Sequence, residues 1–284
     1  MSCRFRSIAQ VIRNLALRGP CGHHLSASVI VYGEMRMKLR QIDIMGISVT
    51  DVTYSSLHEF ILENIRAGRK SPILNVNVSA MNIAETDDDF RKILLNSPLV
   101  FADGMGIVLA SILQGERLSG RITYADWMFE FARFSAEHSI TWYLLGSERG
   151  TARLAADNLI KRFPDLEIVG CHHGYFERNG AENEMVIENI NRCAPDVLFV
   201  CFGMPDQEKW IANHQGRIDA TIFLPGGACL DYLSEKTRRC PQWMGDFGME
   251  WLYRLGQEPG RLWRRYILGN PMFFLRWAKY QLLR

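Results

Sequence analysis

No run of about 18 apolar residues occurs in the 284-residue chain, so it offers no candidate for a membrane-spanning helix. Its seven cysteines (Cys3, Cys21, Cys171, Cys193, Cys201, Cys229 and Cys240) are odd in number and form no CxxC pair. That argues against a disulfide framework or a zinc knuckle and for a reducing compartment. His172-His173 invites a metal, but neighbouring residues on a strand face opposite ways and no Asp, Glu or Cys stands at ligand spacing; no metal site is expected. Neither a Walker sequence nor GxGxxG is present, and there is no internal repeat or low-complexity segment. Arg4, Arg6 and Arg13 break up the apolar residues of the first 17 positions, leaving no h-region for a secretory signal.

What is present is a chain of 48% hydrophobic residues, enough to bury a sizeable core. Its net charge of +2 hides a division: residues 1–40 carry 7 basic and 1 acidic side chains, 236–284 carry 10 and 3, and the stretch between carries 16 and 27. Residues 1–34 show no sustained period and are expected to be a disordered lead or a start-site artefact, with the natural start near Met35 or Met37; the alternative is a basic amphipathic arm. From 35 to 235 apolar runs alternate with helical periods. Strands are expected at 42–49, 73–78, 99–102, 140–145, 166–171, 197–202 and 222–224, with helices at 54–67, 79–96, 106–113, 152–163 and 182–193. This order predicts an α/β domain, a mostly parallel Rossmann-like sheet with helices on both faces. Residues 236–284 interleave ten aromatics with arginine and are broken by Pro259 and Gly269-Asn270-Pro271, which predicts a helical membrane-associating appendage of three short helices.

Two glycine-bearing loops follow apolar runs, at Asp103-Gly104 and at Gly203-Met204-Pro205-Asp206-Gln207-Glu208. Open α/β sheets bind ligands at such strand ends. Asp103 either projects into a cleft as a general base or caps the next helix. Gln207 and Glu208 either face the same cleft or belong to a structural turn. Asn75 and Asn77 share a strand face, lining a site or satisfying loop backbone, and Gly226-Gly227 offers backbone amides to a phosphate. The tail arginines suit diphosphate and an anionic membrane surface, whereas the acidic middle argues against nucleic acid.

Six ordered motifs resemble the WecB/TagA/CpsF family of bacterial glycosyltransferases, family 26, over residues 42–265. They are Phe101-Ala102-Asp103-Gly104, Tyr143-Leu144-Leu145-Gly146, Gly174-Tyr175-Phe176, Pro195-Asp196-Val197, Gly203-Met204-Pro205-Asp206-Gln207-Glu208-Lys209-Trp210, and the tail containing Arg239-Cys240-Pro241, Glu250-Trp251-Leu252-Tyr253-Arg254 and Glu258-Pro259-Gly260-Arg261. The resemblance implies inverting, metal-independent and cofactor-free transfer of a sugar from a UDP-sugar to a polyprenyl-diphosphate-linked sugar, at the cytoplasmic face of the membrane. It implies Asp103 as base, Asn77 and Gln207 as holders of sugar or nucleotide, and Arg239, Arg254, Arg261 and Arg264 or Arg265 as diphosphate ligands. Asp206 stands where the family usually has lysine, and Ser234-Glu235 and Cys240 also depart from its pattern, which bears on the donor. The tail inclines the reading towards glucose, with N-acetylmannosamine or its uronic acid as the other options. Two rivals are a non-catalytic membrane scaffold of the same fold and a glycoside hydrolase, the latter needing a second carboxylate opposite Asp103.

Overall fold

The computed structural model describes residues 39–246 and 248–283, so the expectations for residues 1–34 and for a start near Met35 or Met37 fall outside the described residues. Residues 42–49 form a hairpin, β1 (Gln41–Ile44) and β2 (Ile47–Thr50), and not the expected single strand. Met45 (φ 55°) and Gly46 (φ 79°) both take left-handed conformations, the two-residue turn whose twist suits an antiparallel pair. Helix α1 (Tyr54–Arg66) is capped by Thr53, in a reciprocal capping box with Ser56, close to its expected start at 54. After β3 (Ser71–Val76), the expected single helix over 79–96 is two, α2 (Val78–Ala84) and α3 (Asp88–Asn96). The break is made by Asp87, whose carboxylate accepts from the Phe90 N–H at 3.0 Å and caps α3.

Strand β4 (Leu99–Ala102) leads into α4 (Met105–Leu113), and α5 (Tyr124–Glu137) follows where no element is anticipated. The second half runs β5 (Trp142–Gly146), α6 (Thr151–Arg162), β6 (Ile168–His172), α7 (Ala181–Cys193), β7 (Val197–Cys201), α8 (Asp206–His214), β8 (Ile222–Pro225) and α9 (Cys229–Leu233). The C-terminal segment holds α10 (Gln242–Asp246), α11 (Glu250–Gln257), α12 (Pro259–Trp263), a π-helical turn (Arg264–Leu268) and α13 (Gly269–Leu283).

Among the described residues the sheet has eight strands in the order β1-β2-β4-β3-β8-β7-β5-β6, all neighbours parallel except β1 and β2. The connection order reverses between β3 and β8. These two strands pair only at their starts, Ser71 with Ile222 and Pro72 with Phe223, while β3 and β4 remain paired to Val76–Ala102 and β7 and β8 to Val200–Pro225. The sheet therefore opens at the carboxyl ends of β3 and β8, and the loops after β3, β4, β7 and β8 border the opening.

One face of the sheet is covered by α5, whose aromatics form a stack: Trp127 and Phe131 have ring centroids 4.9 Å apart, and Phe131 and Trp142 5.1 Å. The opposite face carries a core shared with the C-terminal segment, because Phe273 of α13 is fully buried with Val76, Ala80, Ala102 and Ile107. Trp277 Nε1 donates to Gln114 Oε1 at 3.3 Å, and Arg276 Nη1 donates to the Asn82 carbonyl at 3.1 Å, fastening the same helix. Pro259 occupies the first turn of α12, where its missing N–H leaves no bond unmade, and Gly269-Asn270-Pro271 opens α13 rather than separating it from a neighbour. Phe273→Ala is expected to destabilise the protein by about 3–5 kcal/mol, read by urea denaturation, through lost burial and the cavity left behind. A loss under about 1 kcal/mol would mean that α13 is only loosely attached. Among the described residues no helix is long and apolar enough to cross a membrane.

Candidate active site

Asp103 lies one residue beyond β4, where its N–H donates to the Val76 carbonyl at 2.8 Å and ties the ends of β3 and β4 together. It does not cap α4, whose N-cap is Gly104, with no side-chain cap hydrogen bond. Gly104 has φ 110°, a conformation that L side chains rarely adopt, and so turns the chain sharply enough to leave the carboxylate at the opening. Asp103 Oδ2 accepts from Asn75 Nδ2 at 3.0 Å and from Asn77 Nδ2 at 3.4 Å. Asn75 belongs to β3, whereas Asn77 stands just beyond it and caps α2, its Oδ1 accepting from the Ala80 N–H at 3.1 Å. One carboxylate oxygen is thus held by two amides and Oδ1 is left without a hydrogen bond from the protein among the described residues. Burial pushes the Asp103 pKa up and Glu250 adds to the rise; the Asn77 amide, Arg121 and Arg265 pull the other way, and the balance lies at about 6.

Two cavities meet at Asp103. The first, of about 330 Å³, is bounded by Gly203 and Gln207 after β7, Gly226 and Gly227 after β8, and Tyr175 and Asp231 at its sides. The second, of about 440 Å³, lies between α4 and the C-terminal segment and is lined by Met105, Leu109, Trp251, Tyr266 and Phe274 together with Gly104 and Arg121. Asn77, Asp103, Glu250, Arg254 and Arg265 line both.

Arg254 and Arg265 make no ion pair within 4 Å among the described residues; Arg254 only approaches the Tyr232 ring, 5.8 Å from its centroid. Burial pulls the pKa of Arg265 below the usual arginine value. Largely desolvated cations without a direct ion-pair partner are costly, so this wall suits an anionic ligand. Arg261 borders the first cavity and pairs with Glu258.

The other two arginines expected to meet diphosphate lie elsewhere. Arg239 is drawn to α5, donating to the Ala125 carbonyl at 3.0 Å and pairing with Asp126 at 2.8 Å, and Arg264 is exposed, its guanidinium 5.4 Å from the Trp263 ring centroid. Glu208 also leaves the site: its side chain is buried behind the first cavity and lines a separate space of about 200 Å³ between α3 and α8. Adjacent helical residues point about 100° apart, so Gln207 and Glu208 cannot both face one cleft. Gln207 does line the first cavity, yet its Oε1 accepts from the Gly203 N–H at 3.1 Å and the Gly227 N–H at 3.0 Å.

Arg121, unanticipated, joins the body to the C-terminal segment. Its Nη2 donates to the Gly245 carbonyl at 2.7 Å and its Nη1 lies 3.4 Å from Glu250 Oε2. Glu250 belongs to a quoted motif, but nothing in that motif assigns it a place beside Asp103.

The family model described as the glycosyl transferase WecG/TagA/CpsF family matches residues 42–284. An N-acetylglucosaminyldiphosphoundecaprenol N-acetyl-beta-D-mannosaminyltransferase of Staphylococcus aureus (strain MW2) is 27% identical over 252 residues, covering 87% of this chain and 95% of the relative. The protein of the same name from Bacillus subtilis (strain 168) is 30% identical over 203 residues, 72% of this chain and 77% of the relative. A match across nearly all of the chain beyond its first 41 residues, on an α/β sheet whose strand-end loops converge on one acid, establishes that the chain belongs to the WecG/TagA/CpsF family of glycosyl transferases and is a hexosyltransferase.

Proposed function

We propose that this protein transfers N-acetylmannosamine, with inversion, from its UDP derivative to a sugar carried on polyprenyl diphosphate in cell-surface polysaccharide synthesis. The observation that carries this reading is the pair Arg254 and Arg265, cations in no ion pair within 4 Å among the described residues, on the wall shared by both cavities with Asp103. The inclination towards glucose finds no support in the relatives, both named for N-acetylmannosaminyl transfer.

In this reading the first cavity takes the nucleotide-sugar. Gly226 and Gly227 line this cavity, and a Cβ at Gly226 would lie 2.5 Å from Cys229 Sγ and 2.8 Å from Cys201 Sγ, so this loop is packed too closely against the two cysteines to carry a side chain there. The more apolar second cavity takes the lipid-linked acceptor. Asp103 Oδ1 removes the proton from the acceptor hydroxyl as its oxygen attacks the anomeric carbon from the face opposite the leaving diphosphate. Arg254 and Arg265 then stabilise the charge that gathers on the departing UDP. The exposed Trp243, Trp263, Leu268, Met272 and Leu275 of the C-terminal segment suit docking on the membrane that holds the acceptor.

The test is a panel of UDP-sugars offered with polyprenyl-diphosphate-N-acetylglucosamine in vesicles, with products identified by mass spectrometry and anomeric configuration by NMR. Transfer of N-acetylmannosamine at least about tenfold faster than glucose, with inverted configuration, is expected. A preference for UDP-glucose would overturn the donor assignment.

A further inference from the structure

Gln207 closes a bridge across the top of the sheet. Its Oε1 receives the Gly203 N–H from the loop after β7 and the Gly227 N–H from the loop after β8, at 3.1 and 3.0 Å. Those loops form one side of the first cavity. A carboxamide can be turned over, exchanging its oxygen for its nitrogen; turned over, Gln207 would present N–H groups to two backbone N–H groups and the bridge would fail. Something must therefore fix which end faces the loops.

Glu208 is placed to do this. It is 1% exposed, and its Oε1 accepts from Gln207 Nε2 at 2.8 Å. Its Oε2 is buried without a hydrogen-bond partner among the described residues, and the side chain lies against the small space between α3 and α8, beside Lys92, Asn96 and Gln215, on the far side of the wall from the reacting groups. A fully buried acid with one oxygen unused adds little to stability, because the cost of taking it out of water opposes what its single hydrogen bond contributes. Burial also pushes its pKa up to about 7, so near neutrality a large share of the molecules carry the uncharged acid, which still accepts through its carbonyl oxygen.

We infer that Glu208 is a positioning residue: as a hydrogen-bond acceptor it holds the Gln207 carboxamide in the one orientation that clamps the β7 and β8 loops into a nucleotide-diphosphate site. The inference rests on the proposed donor for its effect on affinity, but not for its effect on the loops. What matters is an acceptor at this position and not a charge.

Glu208→Gln, which keeps an acceptor oxygen and the same shape, is compared with Glu208→Met, which removes the acceptor and the buried acid together. Circular dichroism and melting establish the fold of each, and Glu208→Ala replaces the Met variant if that does not fold. Three readouts are taken: UDP binding by calorimetry, the KM for the donor against kcat, and amide hydrogen exchange of Gly203 and Gly227 by NMR. The Met variant should bind UDP about tenfold or more weakly, raise donor KM while kcat falls less than about threefold, and lose protection at both glycines. The Gln variant should stay within about twofold of the parent in all three. In a Gln207→Met background, Glu208→Met should add nothing further.

Unchanged protection in the Met variant, or a Gln variant as impaired as the Met variant, would overturn the inference. If the parent protein itself binds no UDP, the donor assignment fails, while the exchange of Gly203 and Gly227 still decides whether Glu208 orients the clamp.

Discussion

Asp103→Asn should lower turnover at least about 10²-fold while leaving UDP affinity within about threefold, because the amide keeps the shape of the side chain and removes its basicity. The two asparagine donors make this a clean substitution, since the Oδ of an introduced Asn can still accept from Asn75 and Asn77. The parent enzyme should show kcat/KM rising with pH through about 6, the value to which burial and Glu250 raise this carboxyl, because the base is competent only when ionised. The variant should lack that limb. Stability should move the other way. A carboxyl whose folded pKa lies above its unfolded value contributes stability that is present below the unfolded pKa and lost as pH rises through about 6, so Asp103→Asn should melt higher than the parent at pH near 8. Near-parental transfer by the variant at any pH would remove Asp103 from the chemistry.

Arg254→Ala and Arg265→Ala should each reduce kcat/KM by about 10²–10³, the range found when one preorganised donor to a developing anion is removed. Both guanidiniums sit on the shared wall, so loss of either should weaken the stabilisation of the leaving diphosphate and affect kcat as well as KM. Lysine at either position should recover only part of the loss, as an ammonium restores the charge without the paired donors. Arg239→Ala and Arg264→Ala are the controls, one held by Asp126 and the other beside Trp263 outside both cavities. An effect at Arg264 equal to that at Arg254 would show that overall positive charge, and not placement, governs the rate.

The alternation of strands and helices and the mostly parallel sheet were legible in the spacing of the apolar runs, and the strand-end position of Asp103 in the Asp-Gly that closes one of them. The hairpin at Met45-Gly46 is missed although the sequence marks it: apolar residues fall at 42 and 44 and then at 47 and 49, so the phase of the alternation changes across the turn. Helix α5 was obscured by its own composition: Tyr124, Trp127, Phe131 and Phe134 are as much at home in strands as in helices. Asp87 was readable as a helix start and could have divided the helix expected over 79–96. The distribution of the arginines was beyond sequence spacing, because nothing local tells that Arg239 meets Asp126 of α5 while Arg254 lines both cavities. Arg121 carries no local motif at all; its meaning comes from Gly245 and Glu250, more than a hundred positions away.

The C-terminal segment is fastened at two points, at α10 through Arg121 and Gly245 and at α13 through Phe273. Arg254 and Arg265 lie between these points, so they ride on a strap and not on a free arm. A strap has lost most of its conformational freedom during folding, and an arriving diphosphate need not supply the ordering free energy of the chain that binds it. The affinity that would otherwise be consumed in capturing a loose tail remains for discrimination between the ground state and the separating charges of the transition state.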